Sequence, residues 1–313
     1  MLTQLKCLLP PLAALFWISL HAHAASPAPA RLIDPVPEPA RARDAVVIRV
    51  EPGGWGEADE RDIARVLSFV ADTLAPAFPR HAADKIEIVH SSIGPGTQLE
   101  RLSDGAYRIY LKVQDKNWGQ FTYQFSHEYC HVVTNAEQRI HQDSAVRGTQ
   151  WFEESMCEAV SLLALQRVAA RWEQAAPLAN LPGYANVFRE YARKLISQSH
   201  RHLPAGAPPG RPLESWYADN RLALQLDPYV RPRNEVVASV LYAWLAGSED
   251  ALEAIGYIGV RGLSETGERD VFAAYLERWR AATPEHLRAN VVSVPVLFGY
   301  DGPGAPRTRV VER

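Results

Sequence analysis

Apolar residues recur at every second position in several short stretches of the first half of this chain and at helical spacing in most of the rest. Val46 to Val50 is β-branched and runs into Glu51-Pro52-Gly53-Gly54, which predicts a strand and a turn. From Asp59 to Leu74, apolar residues at Ile63, Val66, Leu67, Val70 and Leu74 predict an amphipathic helix that stops before Pro76. Lys85 to His90 and Tyr107 to Val113 alternate apolar and polar as half-buried strands do. Between them, Ser91 to Ala106 carries Gly94-Pro95-Gly96 and Asp104-Gly105 and reads as a loop. Asn117 and Gln120 resemble a capping pair that starts a helix near Trp118, with Asn135 as its stop.

Ala136 to Thr149 is polar and loop-like. Gln150 to Trp172 has no Gly or Pro and places Phe152, Met156, Val160 and Leu163 at helical spacing. Beyond Pro177 the pattern is mainly helical, near 184–198, 213–224, 234–246, 249–258 and 268–282, with a Pro-rich joint at 204–212. Asn290 to Phe298 is apolar and β-branched and reads as a late strand. The order predicts an α+β fold. A small mixed sheet with helices occupies residues 45–175, and a mainly helical part follows over 176–313.

The N-terminus changes that picture. Lys6, an apolar run from Leu8 to Leu20 and Ala22-His23-Ala24 have the form of a signal peptide cleaved after Ala24. The run is short for a membrane span, so the expectation is a secreted or periplasmic protein with no stable span after cleavage. Residues 25–44 are rich in Pro and Ala and read as a flexible linker. The composition, 47% hydrophobic and 22% charged, is that of a globular protein. The net charge of −3 and the scatter of Lys and Arg do not suggest a nucleic-acid-binding surface. Oligomeric state is not legible.

The densest chemistry lies in His127-Glu128-Tyr129-Cys130-His131, an H-E-x-x-H pattern. On a helix His127 and His131 are one turn apart on one face and can reach one metal ion. Glu128 sits about 100° round the helix, beside the metal, where it can take a proton from a water. A catalytic zinc site takes three protein ligands and keeps one position open. Glu154 and Glu158, four residues apart on the second predicted helix, share a face and are candidates, while Glu153 is expected to turn away.

An H-E-x-x-H helix, a loop and a second helix carrying Trp151-Phe152-Glu153-Glu154-Ser155-Met156-Cys157-Glu158 together resemble the gluzincin metallopeptidases. That group includes thermolysin and the aminopeptidase-type enzymes. The resemblance implies a zincin-like fold and a Zn2+ cofactor bound by His127, His131 and Glu154. It implies Glu128 as general base, Glu158 as the acid that orients a ligand histidine, and a peptide or protein substrate. It also implies a downstream oxyanion-stabilising group, with Tyr229 favoured over Tyr217, Tyr257, His200 and His202. The strand from Tyr107 would border the cleft and pair with an extended substrate. Ser155 stands where the family has Gly, and the G-x-M-E-N motif of the aminopeptidase branch is absent. A metzincin arrangement would use Glu137, but Thr134 stands where it needs Gly, and the only methionines are Met1 and Met156.

Cys130 and Cys157, the two cysteines left after cleavage, are each offset from the ligands and are candidates for a disulfide. Two buried thiols, or zinc ligation by cysteine, are the other readings. A non-catalytic binding or envelope protein on the same scaffold, and a zinc hydrolase of a non-peptide amide, are the functional alternatives.

Overall fold

The computed structural model describes residues 46–75, 78, 85–135, 144–205, 212–258 and 270–300. The expected signal peptide and linker, Glu137 and the tail from Asp301 lie outside the described residues.

A four-stranded mixed sheet forms from β1 (Val47–Val50), β2 (Lys85–His90), β3 (Gly96–Gln98) and β4 (Tyr107–Leu111). Its order is β1-β2-β4-β3, with β1, β2 and β4 parallel and β3 antiparallel to β4. Ile86, Ile88, Ile109 and Leu111 are all buried. With them on the core side, the strand period sends Arg49, Glu87 and Arg108 to the other face. Those three are register partners, and Glu87 bonds to both arginines.

Helix α1 (Glu60–Leu74) starts at Asp59, whose carboxylate accepts from the backbone N–H of Arg61 at 2.9 Å. It buries the predicted stripe Ile63, Val66, Leu67, Val70 and Leu74. Helix α2 (Trp118–Asn135) begins where expected, but by a different cap. The Asn117 amide donates to the carbonyl of Gln114 at 2.7 Å, and the N–H of Gln120 bonds to the Asn117 carbonyl.

Helix α3 (Ser144–Ala175) is much longer than the pattern suggested and takes in the end of the expected polar loop. Residues 156–169 include Met156, Val160, Leu163, Leu165 and Val168, all buried, on several sides of the helix. The helices that follow are α4 (Ala185–Ile196), α5 (Pro212–Leu226), α6 (Arg231–Ala246), α7 (Glu249–Ile255), α8 (Val271–Ala282) and α9 (Arg288–Leu297). A helix apolar around its circumference is a central one, and α3 packs against α1, α2, α4, α5, α6 and α8. Trp151 and Phe152 of α3 lie 4.8 and 5.1 Å from the ring of Phe272, and both also meet Phe298. Trp151 therefore ties α3 to the later helices. Trp118 instead packs on Phe121, 5.4 Å between rings.

Two expectations are overturned here. The stretch 290–298 lies mostly in helix α9, not in a strand. Its valines Val291 and Val294 are buried at helical spacing, and tertiary packing overrides their β preference. Pro295 falls in the last turn, and the helix ends two residues later at Leu297. The loop expected over 91–106 contains the edge strand β3. That makes β4 an interior strand, paired on both sides. It therefore has no edge to offer a substrate; the edge beside α2 belongs to β3.

Cys130 and Cys157 form a disulfide between α2 and α3, with Cα atoms 5.4 Å apart and a sequence separation of 27. Closing a loop of that size contributes roughly 3–4 kcal/mol in the chain-entropy view. Thiol titration of the denatured, unreduced full chain should find one reactive group, Cys7, rising to three on reduction. Three before reduction would contradict the bridge.

Candidate metal centre

Helices α2 and α3 lie side by side and bring three donor atoms together. His127 Nε2 and His131 Nε2 are 3.2 Å apart. Glu154 Oε2 is 3.4 Å from His127 Nε2, and Glu154 Oε1 is 3.5 Å from His131 Nε2. Ligands bound at 2.0–2.1 Å around a tetrahedral zinc ion stand about 3.3 Å apart. The three side chains approach one another at about that spacing, with one oxygen of Glu154 toward each imidazole. Among the described residues this is the one group of three His, Cys, Asp or Glu side chains arranged to hold a metal ion.

The other ring nitrogens decide which atoms face the centre. His131 Nδ1 donates to Glu153 Oε1 at 2.9 Å, which leaves its Nε2 lone pair for a metal. His127 Nδ1 faces Glu158 Oε2 at 3.6 Å, an ion-pair distance. Each imidazole is therefore backed by a carboxylate. Glu158 stands where the resemblance places an orienting acid. Glu153 corrects the sequence reading: it is 7% exposed and engages His131, although a helical step of 100° was expected to turn it away.

Behind Glu158 lies a buried charge network. Arg201, 1% exposed, donates to Glu158 Oε1 and to Glu235 Oε1, each at 2.7 Å. Tyr123, one turn before His127, donates to the same oxygen of Glu158. Its hydroxyl accepts from Arg231 at 3.2 Å. His200 pairs with Glu235 at 2.6 Å. Arg201 and Glu235 carry no local signal.

Glu128 is 3% exposed and lies beside the triad. The hydroxyl of Thr97 on β3 donates to its Oε2 at 2.8 Å. The remaining oxyanion candidates scatter. Tyr217 is buried between the rings of Trp151, Phe272 and Phe298, and Tyr257 is buried just after α7. Tyr229 is 50% exposed on the turn before α6, its N–H bonded to Asp227.

The electrostatics follow from this packing. Burial alone would lower the pKa of His127, but the neighbouring carboxylates of Glu154 and Glu158 outweigh it and hold the ring at about 9. For His131, burial is likewise outweighed, chiefly by Glu154 and Glu153, and the pKa is raised. Glu154 is held far below the usual carboxylate range because the histidines overcome its burial. Glu158 is held at about 2, its burial outweighed by His127, Arg201 and Arg231. Burial pushes Glu128 up, against the pull of the two histidines and Thr97.

No protein-family model, no curated protein and no solved structure matches this chain. Among the described residues no helix is long and apolar enough to cross a membrane.

Two tests address the centre. Glu153→Gln, by weakening the hold on His131, should lower zinc affinity about tenfold, at the lower end of such effects. Unchanged affinity in chelator competition would contradict the role of Glu153. Protonation supplies the second. In protein treated with a chelator, the raised histidine pKa values stabilise the fold below about pH 6.5, and that stabilisation is lost as pH rises through about 9. Zinc requires neutral imidazoles. The melting temperature of the chelated protein should therefore fall from pH 6.5 to 9 while the increment from added zinc grows. The opposite trends would contradict the assigned protonation states.

Proposed function

We propose that this chain is an exported zinc-dependent peptidase of gluzincin type, hydrolysing peptide bonds in a peptide or protein substrate. The observation that supports it above all is the donor triangle of His127, His131 and Glu154 with a buried carboxylate, Glu128, directly alongside. Two imidazoles and one carboxylate are a donor set suited to zinc with an open position. The small sheet, the two site helices and the helical remainder are compatible with a zincin-like plan.

A zinc ion in this position supplies Lewis acidity toward a water and a carbonyl oxygen. The chain's residues do the rest. Glu153 and Glu158 keep the Nδ1 protons of His131 and His127 on the outer side, so both Nε2 atoms point inward. Glu128 accepts the proton of the attacking water at its carboxylate and returns it to the leaving amine. Its raised pKa suits a group that must hold the proton between the two steps. Tyr229 is the proposed oxyanion donor: its exposed ring precedes Arg231, whose guanidinium reaches the Tyr123 hydroxyl beside Glu158. An extended substrate would lie along β3, the sheet edge whose Thr97 touches Glu128.

Glu128→Gln should reduce cleavage of a fluorescein-labelled casein at least 10³-fold while zinc content by elemental analysis stays at one per chain. Equal cleavage by the zinc-loaded variant would overturn the base assignment. A wild type that holds zinc and cleaves neither casein nor a quenched peptide library would overturn the peptidase reading.

A further inference from the structure

The register of the edge strand delivers one side chain to the proposed base. In the antiparallel pairing of β3 with β4, Thr97 stands opposite Ile109, Gly96 opposite Tyr110 and Gln98 opposite Arg108. Ile109 is fully buried on the helix-covered face. Its partner Thr97 points to the same side, toward α2, whereas Gln98 shares the outer face with Arg108. A slip of one residue would put Gly96 or Gln98 in its place.

The hydroxyl of Thr97 lies 2.8 Å from Glu128 Oε2 and 3.1 Å from the Glu128 backbone carbonyl. It has one proton to give, and the shorter contact takes it. Among the described residues Thr97 is the one hydrogen-bond partner of the Glu128 carboxylate. A carboxylate 3% exposed with a single partner would otherwise be free to turn about its last torsion.

We infer that Thr97 is a positioning residue for Glu128: it occupies Oε2, fixes the plane of the carboxylate and leaves Oε1 as the oxygen that exchanges the proton. This rests on the peptidase reading and deepens it. It also joins the base to the strand along which a substrate would lie, so that a displacement of β3 reaches the carboxylate through one hydrogen bond.

Thr97→Val keeps the side-chain shape and removes the donor; Thr97→Ser keeps the donor. For zinc-loaded protein with a quenched fluorogenic peptide drawn from the library, Thr97→Val should lower kcat about 10- to 100-fold, leave KM within about twofold and leave zinc content at one per chain. Thr97→Ser should recover kcat to within about threefold of wild type. A purely structural role would lower stability and leave kcat per folded, zinc-loaded molecule unchanged. That result, or a Thr97→Ser variant as slow as Thr97→Val, overturns the inference.

A second readout needs no turnover. In a double-mutant cycle of Thr97→Val with Glu128→Met, which removes the acceptor at similar length, urea unfolding of the chelated protein should show a coupling of about threefold or more in the unfolding constant. Additive effects would overturn the contact itself. If the wild type holds zinc and cleaves no probe, the peptidase reading fails on its own, and the cycle alone decides whether Thr97 holds Glu128.

Discussion

Four carboxylates crowd the meeting of α2 and α3, and their charge is the constraint on which the rest depends. Glu128, Glu153 and Glu158 are each at most 7% exposed, and Glu154 is only partly more open. Buried like charges at this density are tolerated only when cations and hydrogen bonds offset them. The protein offers His127, His131 and the guanidinium of Arg201. With the rings protonated, two positive imidazoles would face each other at 3.2 Å, so protons alone relieve one repulsion by creating another. A divalent cation between the two nitrogens and Glu154 relieves both.

The architecture can be understood as what holds that cluster in place. Helix α3 passes through the middle of the molecule, apolar on several sides, and its aromatic residues anchor it to α8 and the segment after α9. Helix α2 is held against it by the Cys130–Cys157 bridge, each cysteine one residue before a member of the site. Beneath Glu158, Arg201 and Glu235 continue the alternation of charge outward to His200. The sheet contributes at its edge, where β3 reaches Glu128.

How much of this was legible follows from how local each interaction is. The pair His127 and His131 depends on one helix period, and the spacing reveals it. Glu154 and Glu158 follow from a second helix by the same rule. Glu153 was misread because a helical wheel describes Cβ directions, whereas a long acid next to a ligand can still reach the outer nitrogen of a histidine. Thr97 was invisible: three residues of strand between glycine-bearing turns carry too little pattern, and its role arises only from pairing with β4. Arg201 reaches Glu158 and, on its other side, Glu235 from distant parts of the chain, where local sequence gives no hint. The stretch 290–298 misled for the opposite reason, a strong local β preference overruled by burial at helical spacing.

X-ray absorption at the zinc edge, on purified protein loaded with one equivalent of zinc, tests the central claim most directly. Binding by His127, His131 and Glu154 should give a first shell of four nitrogen and oxygen atoms at about 2.0–2.1 Å, with the outer-shell signature of two imidazoles and no sulfur. A shell containing sulfur near 2.3 Å, or a six-oxygen shell without imidazole, would contradict it.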